Sequence, residues 1–212
     1  MPECELCDEL AGGCQNAYAH TYGHLRRTVL ASSHFHAVPT LGQIVEGHLL
    51  VIPKRHFCAL ADLPSDEAAE LESLQHRVRV ALELTYSECA FFEHGMRGHT
   101  PGGCGIDHAH MHAVPVAAHG VLEILRREFG GVRIHSLQEI RQKLPDQSYL
   151  YFEGPGGDRH VFPVTNLPSQ YMRKLIAESI GKRNWDWRVS GYEPALIATI
   201  RRLSPLFSSA AA

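Results

Sequence analysis

The chain has 212 residues, 44% hydrophobic and 20% charged, with 20 lysines and arginines against 23 acids. That length serves one generous domain, or a domain with an appendage, and can bury a core without staples. A net charge of −3 with scattered basic residues excludes the footprint of a duplex nucleic-acid binder, no apolar run reaches the ~18 residues of a membrane span, and six cysteines are too few for a disulfide scaffold.

The N-terminus, MPECELCDEL, is acidic where a secretory leader would be basic and then apolar, so a cytoplasmic address is expected. Its Cys4 and Cys7 have a C-x2-C spacing that suits a metal or a redox pair. "HFHAVPT" (34–40) and "HLLVIPK" (48–54) are rich in β-formers and separated by "LGQIVEG", whose glycines permit a turn, so they predict two adjacent strands. Residues 65–84 open with Ser65 and acids and place Leu71, Leu74, Val78 and Leu82 along one face, predicting a helix. "CAFFEHG" (89–95) predicts a strand, and "MRGHTPGGCG" (96–105) a glycine-rich loop feeding a further strand, "IDHAHMHAVPV". Helices follow at 121–129 and 136–144, a hairpin at 149–164, and two more helices at 168–181 and 193–203, with Trp185 and Trp187 pinning this tail to the core. The fold expected is α+β: residues 1–118 as one unit, 119–206 as a smaller α/β extension packed on it, and 207–212 as a disordered tail.

Histidine is the outlier, with 15 residues, ten of which fall at 34–56 and 94–119. His108, His110 and His112 occupy alternate positions, so on a strand they share one face. His108 and His112 would then stand ~13 Å apart, too far to bind one ion together. Either the histidines line a polar strand face, or each imidazole has its own task. The preceding "GGCG" supplies backbone N–H groups suited to an anion, and imidazole can act as nucleophile, acid or base near neutral pH. Together they point to phosphoryl or nucleotidyl transfer.

"HAHMHAV" resembles the histidine-triad (HIT) signature, His-x-His-x-His followed by apolar positions, and "EGHLLVIPKRHFCAL" is similar to the family's upstream segment. The resemblance covers residues 4–116 and implies an antiparallel sheet with flanking helices. It implies that His110 attacks the α-phosphate of a nucleotide, giving a nucleotidyl-histidine, while His112 and His48 hydrogen-bond the phosphate or the scissile oxygen. "FEHG" and "GCGIDHAH" look like stretches of galactose-1-phosphate uridylyltransferases, with His94 near an asparagine position, Cys104 retained and Gly105 in place of a serine. His112, however, matches HIT hydrolases, since those transferases carry glutamine there. In related proteins a C-x2-C joins two histidines on zinc, which implies Cys4, Cys7, His56 and His108 as the ligands of a closed, structural site.

The resemblance places Thr40 where an acidic or amide residue holds the ribose, and Leu6, Phe35 and Val38 are candidates for the base-facing wall. On a helix Gln170, Arg173 and Lys174 fall within one turn, forming either a phosphate grip or a solvated face. The function expected is a nucleotide or dinucleotide hydrolase or nucleotidyltransferase, possible as a homodimer, without membrane or duplex nucleic-acid partners. Two other readings stand beside it: a metallohydrolase with His108 and His110 on a catalytic metal, and a non-catalytic nucleotide-binding module.

Overall fold

The structure, a computed structural model, describes residues 4–23, 25–97, 106–191 and 193–208. Its centre is an eight-stranded antiparallel sheet built from β1 (Leu30–Ala31), β2 (Phe35–Pro39), β3 (Leu49–Pro53), β4 (Ala90–Gly95), β5 (Met111–Val114), β6 (Val132–Ile134), β7 (Tyr149–Glu153) and β8 (Arg159–Pro163). The strand order is β1-β2-β3-β5-β4-β7-β8-β6. The helices are α1 (Glu5–Leu10), α2 (Ala17–Tyr22), α3 (Ser65–Thr85), α4 (Val121–Phe129), α5 (Gln138–Lys143), α6 (Tyr171–Ser179) and α7 (Glu193–Ser208). Among the described residues no helix is long and apolar enough to cross a membrane.

Alternation along the strands sorts the side chains into two faces. Phe35, Ala37, Leu49, Val51, Phe91, Met111 and Ala113 point to one side, where α3, α5 and α7 cover them with Leu71, Leu74, Val78, Leu82, Ile140 and Leu203. The other face is divided. At the β4–β8 end Phe92, Val114, Leu150 and Phe162 pack against Val121 and Leu125 of α4 and Met172 and Ile176 of α6. At the β2–β3 end Val38, Leu50 and Ile52 pack against Leu6 of α1. Between these two clusters, over β5, runs the row of imidazoles.

Two expectations are corrected. The strand predicted over 106–116 is ordered as a ladder only at Met111–Val114, because the N–H of Ala109 donates to the Phe57 carbonyl at 2.6 Å and draws His108 and His110 onto the loop after β3. Phe207 and Ser208, assigned to a tail, continue α7, and Phe207 packs in the core. The strands beyond residue 118 continue the same sheet, with β7 pairing to β4 from Phe91↔Glu153 to Gly95↔Tyr149. Gly95 is required there: a Cβ would lie 2.2 Å from the Tyr149 ring.

Candidate active site and metal centre

Cys4 caps α1, its sulfur accepting from the Cys7 N–H at 3.5 Å, so the first helical turn brings the two sulfurs together. His56 follows β3 and His108 precedes β5. The donor atoms of Cys4, Cys7, His56 and His108 all lie within 4.8 Å of one another. His108 Nδ1 is 3.4 Å from each sulfur, and His56 Nδ1 is 3.5 Å from Cys7 Sγ. A tetrahedral zinc with bonds of about 2.3 Å to sulfur and about 2.1 Å to nitrogen would set S–N edges of about 3.6 Å. The Nε2–H of His108 donates to the Pro53 carbonyl at 2.9 Å, which leaves the Nδ1 lone pair aimed at the sulfurs. Burial holds the His108 imidazole down at about 4, so it stays neutral as a ligand must; burial and then Cys4 push the Cys7 thiol up to about 11. A divalent cation supplies the charge that would reverse that push. The four residues fit zinc.

The next imidazole serves another purpose. His110 is 7% exposed, and its Nδ1–H donates to the His108 carbonyl at 2.7 Å, which puts the basic nitrogen at Nε2. One residue thus offers its side chain to the metal set and its backbone to the neighbouring ring. His112 lies beside His110 with ring centroids 5.0 Å apart, and Phe92 stacks on it at 4.3 Å and 11°. His48, fully buried at the start of β3, accepts from the Ile44 N–H at 3.5 Å through Nδ1, so its Nε2–H donates to His112 Nδ1 at 2.8 Å. This relay leaves His112 with a proton on Nε2. Burial holds His48 and His112 well below the ordinary imidazole range, helped by the nearby charges of Arg173 and His110. His94 is depressed to about 4 by burial and then His110.

These shifts have a stability consequence. An imidazole depressed in the folded state contributes stability above its unfolded value near 6.5 that is lost as pH falls through the folded value. Glu93 acts in the opposite sense, since burial raises its carboxyl to about 7 and its contribution is lost as pH rises. With His48, His94 and His112 against one carboxyl, the unfolding midpoint should fall on acidification from pH 6.5 to 4. A thermal melt series checks this, and a midpoint that rises over that window would contradict it.

A cleft opens beside the row. Of the residues expected at the substrate, Leu6, Thr40, His94, His110, His112, Gln170 and Arg173 line it. Phe35 does not, being fully buried on the opposite sheet face, and Val38 sits behind Leu6 in the small cluster under α1. Cys104 and Gly105 lie outside the described residues. The Thr40 hydroxyl donates to the Leu41 carbonyl at 3.1 Å. Gln170 cannot grip a phosphate as expected, because its amide donates to Asp186 at 2.8 Å and accepts from the Trp187 N–H at 3.0 Å. Instead it brings Trp187 to the cleft wall. Sequence reasoning missed Tyr18, Glu9 and Arg27 at the other end of the cleft. Arg27 forks onto Glu9 at 2.6 and 2.5 Å under the Tyr18 ring, a pairing across two short helices that no periodicity announces.

Residues 26–119 match the family model described as HIT domain. No curated protein sequence matches the chain. Among solved structures, the chain is similar to a zinc-bound histidine triad family protein from Mycobacterium smegmatis, at 20% identity and TM-score 0.41, over 53% of this chain and 74% of that one. It is also similar to a HIT family protein from Bacillus anthracis, at 22% identity and TM-score 0.42, over 54% and 73%. A histidine triad protein from Clostridium difficile matches at 19% identity and TM-score 0.39, over 55% and 92%.

Proposed function

Because this chain is a HIT-domain protein, with that domain at residues 26–119, we propose that it cleaves a nucleotide or dinucleotide at the α-phosphate through a nucleotidyl-histidine on His110. The observation that carries this reading is the 2.7 Å bond from His110 Nδ1 to the His108 carbonyl, made inside the cleft and beside His112. Nε2 of His110 attacks phosphorus, and the bond from phosphorus to the leaving group breaks with its electron pair. The Nε2–H of His112 donates a hydrogen bond to the leaving atom, which departs as an anion, and the His108 carbonyl stabilises the positive charge that forms on the attacking ring. In the second half an acceptor hydroxyl, of water or of a sugar phosphate, attacks phosphorus and releases its proton to solvent or to the departed anion, and the P–N bond breaks with its electron pair returning to Nε2 of His110.

Zinc, if held by Cys4, Cys7, His56 and His108, supplies a fixed anchor for the strand entry. The His108 backbone carbonyl then has one position, and so does the ring that donates to it. The metallohydrolase reading is weakened by the same geometry: His108 belongs to a complete set of four donors, and His110 Nδ1 is committed to a backbone carbonyl.

Product analysis across dinucleoside polyphosphates, nucleoside phosphoramidates and nucleotide sugars tests the reading. Release of a nucleoside monophosphate, or its transfer to a sugar phosphate, is expected; tight binding without turnover of any of them favours the binding-module reading. In the same assay His112→Ala should lower kcat by about 10²–10³-fold with little change in KM, since the lost hydrogen-bond donor matters most in the transition state. Unchanged turnover would reduce His112 to a filler of the strand face.

A further inference from the structure

Arg173 of α6 is 3% exposed, yet it lines the cleft. Two of its donors are tied down: Nε bonds the Trp185 carbonyl at 2.8 Å, and Nη2 bonds the Gly42 carbonyl. The guanidinium plane is therefore fixed. Its third nitrogen, Nη1, is buried and has no hydrogen-bond partner. Among the described residues no carboxylate makes a contact ion pair with Arg173, Asp186 acting on it only at longer range, whereas Arg27, also in the cleft wall, is paired directly with Glu9. Burial lowers the guanidinium only to about 10, so it keeps its charge at neutral pH. A buried, charged, unpaired donor is costly, and native structures keep one where a ligand or an ordered water completes it. The cation lines the same cleft as His110 and His112.

We propose that Arg173 binds a second anionic group of the substrate, a phosphate or carboxylate beyond the α-phosphate. This rests on the nucleotide reading above and narrows the substrate class. Guanidinium suits an oxyanion because its N–H groups present a planar fork of fixed charge. The group has two possible sources: the leaving group, as in a β-phosphate, or a phosphate carried on the ribose.

Calorimetric titration of the full chain with the 5′-monophosphates, 5′-diphosphates and 3′,5′-bisphosphates of the four common nucleosides separates these cases. At least tenfold tighter binding of one doubly phosphorylated form over its monophosphate is expected in the wild type. Arg173→Met should erase that ratio, and Arg173→Lys should keep part of it. Because the comparison is between ligands on one protein, a general loosening of the Gly42 and Trp185 contacts would weaken both ligands alike and leave the ratio intact. A preference for the diphosphate assigns the anion to the leaving group, and one for the bisphosphate assigns it to the ribose. An equal loss for mono- and doubly phosphorylated ligands, or a ratio untouched by Arg173→Met, overturns the inference and leaves Nη1 with a water, while the nucleotide reading stands. Binding of none of these nucleotides overturns both.

Discussion

Replacing His110 with alanine should lower turnover by roughly 10³–10⁶-fold, the range expected when the nucleophile of a covalent mechanism is lost. The loss should fall on kcat, because the cleft walls from Leu6 to Arg173 remain to bind substrate. The fold should survive. His110 belongs to none of the three apolar clusters, and its bond to the His108 carbonyl is a local one, two residues back. Circular dichroism and a melting curve close to wild type are the controls. Turnover within tenfold of wild type would mean that His110 does not attack phosphorus, and the catalytic-metal reading would take first place.

The second large effect concerns the metal. Wild-type protein should carry about one zinc per chain, and Cys4→Ser combined with Cys7→Ser should carry none, since a serine hydroxyl is a poor substitute for a thiolate ligand. The ligands join α1 to the loops before β5 and after β3, so their loss should free the N-terminal segment and the Leu6 wall while the sheet and its two larger clusters stay folded. At a free-metal excess of about a thousandfold over the dissociation constant, binding contributes about 4 kcal/mol, which is the order of stabilisation the variant should lose. Metal analysis by mass spectrometry, with a zinc titration of the melting temperature, reads both quantities. Stoichiometric zinc in the double variant would place the metal elsewhere.

Much of this site was legible in the sequence because its signals are local in type even where they are distant in space. The strands at 34–40, 48–54 and 89–95 and the helix at 65–84 follow from alternation and from a leucine stripe, and the structure forms them there as β2, β3, β4 and α3. The four candidate metal ligands, separated by up to 104 residues, converge because C-x2-C on a helical turn and His56 after a strand are each positioned by their own element. Other features had no such signal. α1 and α2 have six residues each, under two turns, too short for a 3.6-residue period to show. The pairing of β7 with β4 depends on partners 54 to 62 residues apart, which hydrophobic pattern alone does not choose. Phe35 fails as a base wall for a reason of parity: it lies on the core face with Ala37, while His36 and Val38 occupy the opposite face of β2, the one that α1 covers through Leu6. Gln170 was misread because its task is set by Asp186 and Trp187, which a helical wheel does not include.

The most direct test of the account is to trap the intermediate. A nucleotide substrate labelled at the α-phosphate is mixed with the full chain and quenched in base and denaturant during turnover, since a phosphoramidate is stable to base and labile to acid. The account predicts label on the protein, recovered on the peptide that contains His110 and released by mild acid, and no label on His110→Ala. Product formation by the wild type with no label on any peptide, or label retained by His110→Ala, would contradict covalent catalysis at His110.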